Sequence, residues 1–160
     1  MKHGSMIMFR IVSTIVALAM VLGCSEHSDP DLGAGYRLDS YGEYSSAIVD
    51  SQNTEIVETH ILNYTFDSTY IIASQKPWEV PNIPGLRDMK HSQRHKTFEE
   101  STFRQYWIIN KNQKAERSLD TVSMRVRRSN VYGPFDRQEY LRKRVELGVP
   151  KELILKEQER

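Results

Sequence analysis

Val131-Tyr132-Gly133-Pro134-Phe135-Asp136, continuing through residues 137–147 to Gly148-Val149-Pro150, is the stretch from which the fold class is read. Asp136 is placed to accept the free N–H groups of a first helical turn. Glu139, three residues on, is placed to reach back, the reciprocal arrangement of a capping box. Phe135 and Tyr140 occupy the two positions of a hydrophobic staple. The spacing predicts a helix over residues 137–147 with Tyr140, Leu141 and Val145 as its apolar side. Gly148 supplies the left-handed stop and Pro150 blocks resumption. Tyr132-Gly133-Pro134 reads as a turn, a strand-to-helix corner whose aromatics pack on the core. A short last strand is expected over residues 153–155.

Upstream of that helix the pattern is strand-like. Residues 103–110 place Phe103, Trp107 and Ile109 on one face and Tyr106 and Ile108 on the other, which predicts a central strand buried on both sides. Residues 111–114 form a turn signal, and residues 121–126 alternate with Val122, Met124 and Val126 inward. Residues 54–66 are rich in Ile, Val, Thr, Tyr and Phe, with Leu62, Tyr64 and Phe66 on one face. Asp67-Ser68 turns this strand into residues 69–74, giving a hairpin. Pro77, Pro81, Pro84 and Gly85 then interrupt regular structure through Arg87, and residues 89–100 read as a polar, basic excursion on the surface. The expectation is an α+β domain over residues 36–160, a small antiparallel sheet with a C-terminal helix packed on it.

The first residues have a different character. Lys2 and Arg10 form a positive segment, followed by the twelve-residue run Ile11 to Leu22, interrupted only by Ser13 and Thr14. A membrane-spanning helix needs about 20 residues, whereas this length suits the apolar region of a signal peptide. Gly23 precedes Cys24, the one cysteine of the chain. Val21-Leu22-Gly23-Cys24 resembles the bacterial lipobox, which implies a signal peptide over residues 1–23 and lipid on Cys24. Met6 and Met8 are further candidate starts. Residues 25–35, with Pro30, Gly33 and Gly35, read as a polar flexible tether, so residues 24–35 form a lipidated linker. The expected place is the cell membrane or outer membrane, lipid-anchored on the extracytoplasmic side.

A family resemblance rests on Tyr106-Trp107-Ile108-Ile109-Asn110-Lys111, Val131-Tyr132-Gly133-Pro134-Phe135, Glu139-Tyr140 and Glu146-Leu147-Gly148-Val149-Pro150. Together with Tyr70-Ile71-Ile72-Ala73 and the lipobox, these segments resemble a group of short bacterial lipoproteins, the domain of unknown function 3997 family. The resemblance implies a tethered small α+β domain and carries over no catalytic residue.

Composition narrows the function classes. The 160 residues carry a formal net charge of +1, without the basic excess of a nucleic-acid binder. A single cysteine makes no internal disulfide, and once lipidated it is no nucleophile. No GxSxG, Walker loop or dinucleotide fingerprint is present. His91 and His95 stand four apart, a metal-ligand spacing on a helix, but Arg87, Lys90, Arg94 and Lys96 oppose a divalent ion. No cofactor or metal is expected. The same four cations are the candidate surface for an acidic protein partner or anionic headgroups, and Trp78, flanked by Pro77 and Pro81, is a candidate interface anchor. Arg125, Arg127 and Arg128 form a second basic cluster, which also reads as a strand edge charged against aggregation. The leading expectation is a non-catalytic binding or structural module of the envelope, an inhibitor or immunity protein being a narrower form. The alternative is an envelope hydrolase with a site assembled from distant residues.

Overall fold

Strands with apolar residues on both faces need a layer on each side, and two such strands organise this molecule. A computed structural model describes residues 29–40, 45–78, 85–120 and 125–156; the predicted signal peptide, Cys24 and residues 121–124 lie outside them. β1 (Asp31–Gly33), β2 (Tyr36–Ser40), β3 (Ser46–Val49) and β4 (Glu55–Val57) form a four-stranded sheet in sequence order. β5 (Ile61–Phe66), β6 (Tyr70–Gln75), β7 (Gln105–Asn110) and β10 (Val131–Phe135) form a second, in the order β10-β7-β6-β5. β8 (Arg117–Asp120) and β9 (Arg125–Arg128) make a two-stranded ribbon. All the strand pairs are antiparallel. Among the described residues the α-helices are α1 (His91–Glu100) and α2 (Arg137–Glu146). The fold class is α+β, with α2 packed on the second sheet.

Register explains the two cores. Ile71 opposes Ile109 and Ala73 opposes Trp107, so these residues share the face that meets Leu32, Tyr36, Leu38, Ile48 and Val57 of the first sheet. Ile72 opposes Ile108 on the other face, which packs with Tyr106, Tyr140, Val149 and Leu153. The predicted central strand is therefore buried as its alternation requires, and the predicted hairpin forms between β5 and β6.

Several local expectations change. The run 54–66 is two strands in different sheets, broken at residues 58–60, where His60 has φ +89°. A register shift between Ile61 and Asn63 brings Ile61 and Tyr64 to the first core, while Leu62 stays exposed. The segment expected to be a tether is folded from β1 onward: Leu32 is 0% exposed and belongs to the first core. Residues 132–134 are not a turn but part of β10. That strand lies at a sheet edge, where a proline without an N–H interrupts no inner ladder. Gly133 is required there, because a Cβ would come within 2.8 Å of Trp107 and of the Tyr106 carbonyl.

α2 starts as the sequence indicates: Glu139 N–H donates to Asp136 at 2.8 Å, and Gly148 has φ +70°. The Glu139 carboxylate lies 3.6 Å from Arg142. Tyr140 stacks on Tyr106 at 4.8 Å between ring centroids. Leu141 and Val145, expected to face the core, are 50% and 83% exposed. The space is filled instead by Val149 and Leu153, brought back beneath the helix by the turn at Gly148. Residues 153–155 are not a strand; the Arg144 guanidinium holds this tail by donating to the carbonyls of Pro150 and Leu153 at 2.8 and 2.5 Å.

Candidate functional site

The two ends of the sheets carry different chemistry. At the end bearing the β3–β4 turn, Asp50 is buried and fully engaged. Its carboxylate accepts the N–H groups of Gln52 and Thr54, both at 2.9 Å, and pairs with Arg128; Arg117 stands 3.6 Å away. Burial alone would raise its pKa, but the two amides and Arg128 outweigh it and hold the carboxyl below its ordinary value. Lys111 is similarly committed to the carbonyls of Leu32 and Asp67; burial lowers its pKa, partly countered by Asp67 and Asp31. The Arg128 read as part of a basic surface is thus an internal strut joining the β8–β9 ribbon to the first sheet. No doublet in the sequence announces this pair, which spans 78 residues of chain.

The other end is less settled. Gln75, buried at the end of β6, donates to the carbonyls of Glu58 at 2.9 Å and Thr59 at 3.2 Å and accepts from the Trp107 indole at 2.7 Å. Lys76 N–H donates to the His60 carbonyl at 3.0 Å. These bonds clamp residues 58–60 and hold His60 at a positive φ that is uncommon outside glycine. The imidazole meets Phe98 edge-on at 4.5 Å and Trp78 at 6.0 Å. Its Nδ1 is out of solvent and has no hydrogen-bond partner among the described residues. Burial, and then the charge of Lys76, lower its pKa.

Trp78 gathers this corner. It lies 4.9 Å from Phe98, 6.2 Å from His95 and 6.4 Å from His91. Residues 91, 95 and 98 recur at helical spacing, so they share the inward side of α1. The segment expected to be a surface excursion is therefore a helix. Phe98 is its one apolar side chain, so no apolar period marks it in the sequence, and none of its residues is buried. Lys76 completes the attachment, donating to the Glu99 carbonyl at 2.9 Å and lying 4.8 Å from the Phe98 ring.

The helix also redistributes the four predicted cations. Arg87 lies in the single 3-10 turn Leu86–Asp88, and Lys90 is the N-cap residue of α1. Arg94 borders the inward side, with Nε out of solvent and unpaired among the described residues. Lys96 points to the outer side, 3.8 Å from Glu100. His91 and His95 are 6.5 Å apart between ring centroids, and Glu99 lies 3.4 Å from His95. No group of three or more His, Cys, Asp or Glu among the described residues is arranged to hold a metal ion. Sequence reasoning picked out Trp78 and the cations here, but not His60, Gln75 or Phe98, which position them.

The profile of the family described as "Protein of unknown function (DUF3997)" matches residues 34–159. The chain belongs to this family. The match begins just after β1 and spans the rest of the first sheet, the second sheet, the ribbon and both helices, so the corner around Trp78 lies inside the family's unit. No curated protein and no solved structure matches the chain. Among the described residues no helix is long and apolar enough to cross a membrane.

Proposed function

We propose that this family member is a lipid-anchored module of the bacterial cell envelope that acts by binding rather than by catalysis. α1 carries the reading: a ten-residue helix that has no fully buried residue contributes little to the core, yet it carries exposed Lys96 and half-buried Arg94 behind the exposed N-cap residue Lys90. Elements kept for contact with something else have this character. The lipobox supports the anchor, because a small residue before a lone cysteine closes an apolar run of signal-peptide length. Confinement to a surface raises effective concentration, so modest intrinsic affinity suffices. An inhibitor or immunity protein is one form such a module takes.

In-cell crosslinking of the full chain is the direct test. Replacing Arg87, Lys90, Arg94 and Lys96 with serine should reduce capture of its contact while leaving the circular dichroism spectrum unchanged. Cys24→Ala should abolish fatty-acid labelling. Reproducible hydrolytic turnover that disappears on mutating His60, His91 or His95 would overturn the binding reading in favour of an enzyme.

A further inference from the structure

We infer that α1 rests on an anionic lipid surface, the one to which the anchor ties the protein; this builds on the anchored reading above. Two independent observations converge, one from the path of the chain and one from charge.

The path runs as follows. The Leu38 N–H donates to the Pro30 carbonyl at 3.0 Å, Asp31 opposes Arg37, and Gly33 opposes Tyr36. β1 therefore enters from the Ser40 end of the first sheet and runs toward the turn at Ala34-Gly35. At the Ser40 end, Ser40 opposes Ser46, and the Ser46 hydroxyl donates to the Ile61 carbonyl at 3.4 Å. The residue next to Ile61 is His60, whose ring packs on Phe98 of α1. The chain thus enters the fold from the end where α1 lies, opposite the Asp50 and Lys111 end. Asp29 is five residue steps from Cys24, a reach of about 17 Å when fully extended. A lipid on Cys24 holds that end close to the headgroups, within a few screening lengths of about 8 Å each.

The charge agrees. From Arg87 to Lys96 there are four cations and one acid, Asp88. Arg87, Lys90 and Arg94 stand at or before the first turn of α1, where the helix dipole is already positive and no acid is present, and Lys96 follows at mid-helix, 3.8 Å from Glu100. Glu99 and Glu100 sit at the opposite, negative end. In water this polarity is unfavourable at both termini. An anionic surface against the N-terminal half relieves it, and juxtamembrane cations are drawn to such surfaces. A protein partner gains no comparable help from the direction of the tether.

The test uses the full chain purified with its lipid and reconstituted in vesicles of phosphatidylcholine, with or without phosphatidylglycerol. Acylation of lysines by a water-soluble reagent is read by peptide mass spectrometry, with exposed Lys114 at the opposite end as the internal reference. Lys90 and Lys96 should react at least about fivefold more slowly, relative to Lys114, on anionic than on neutral vesicles, and added salt should remove the difference. Arg94→Ser leaves both reporters in place and should weaken the protection by up to about fivefold. Equal reactivity on both vesicle types overturns the inference. Protection in intact envelopes but not on pure lipid also overturns it, in favour of a protein partner. The mass of the N-terminal peptide separates the two readings. Acyl groups on Cys24 without lysine protection sink only this inference. An unmodified Cys24 sinks the anchored reading, and protection by added anionic vesicles then decides the contact by itself.

Discussion

α1 and α2 are both ten residues long and mostly polar, yet they are opposites in construction. α2 begins on Asp136, carries Glu139 in its first turn and Lys143 and Arg144 in its last, so each charge suits the end where it stands. α1 begins on Lys90, whose side chain has no acceptor, and half a capping box remains, with the Lys90 N–H donating to Gln93 at 3.4 Å. Its acids stand at the wrong end. α2 buries Tyr140 in the second core, whereas α1 buries nothing. Local signals and core contacts agree in α2, and a helix so built belongs to the cooperative unit. α1 depends on Phe98, Trp78 and Lys76, and such an element opens at lower free energy than the whole.

The largest effect expected from this contrast is a difference between two aromatic deletions. Tyr140→Ala removes a ring stacked in the core and should lower global stability by about 3 kcal/mol in urea denaturation. Phe98→Ala should change global stability by less than about 1 kcal/mol, while amides of α1 lose hydrogen-exchange protection and Trp78 emission shifts. Comparable losses in the two variants would mean that α1 is as integral as α2.

The caps sharpen the comparison with opposite signs. Asp136→Ala leaves the Glu139 N–H without its acceptor and should cost about 0.5–2 kcal/mol. Lys90→Asp places an acceptor and a negative charge at the N-terminus of α1 and should increase its exchange protection, by about 0.5–1 kcal/mol of local stability. A destabilising Lys90→Asp would show that Lys90 makes a contact worth more than a cap.

The same contrast explains what the sequence made legible. Asp136, Gly148 and Pro150 act within a few residues of where they stand, so the start and end of α2 could be read directly. The β5–β6 hairpin and the two-faced strand β7 were equally local, being written in alternation. Leu141 and Val145 misled because the residues that displace them, Val149 and Leu153, arrive by a reversal of the chain that no period encodes. Leu32 was hidden in a Pro/Gly-rich stretch, and β10 was hidden by a Pro134 that only an edge strand tolerates. At the candidate site, Trp78 and the cations were visible as residue types. The clamp of Gln75 on residues 58 and 59, and hence the position of His60, exists only after the two sheets meet.

The smallest expected effect is a pH dependence of the α1 corner. His60 has its pKa lowered, first by burial and then by Lys76, so the folded protein binds fewer protons at this site than the unfolded chain. Stability linked to neutral His60 is therefore fully present above about pH 6.5 and is lost as the pH falls through the lower folded value. The charged groups facing the ring are Lys76 from the end of β6 and, across Trp78, His91 and His95 from α1, the latter beside Glu99. Charging His60 adds positive charge to a corner already rich in it. Acidification should accordingly loosen α1 before the β8–β9 end responds, because Asp50 is held ionised to lower pH by its amides and Arg128. Trp78 emission should change as the pH falls below about 6.5 while the far-ultraviolet signal of the sheets persists. His60→Asn suits the test because asparagine tolerates positive φ, so the backbone is kept while the titrating group is removed. In that variant the emission change should shrink. An unchanged profile would leave His60 as a packing residue.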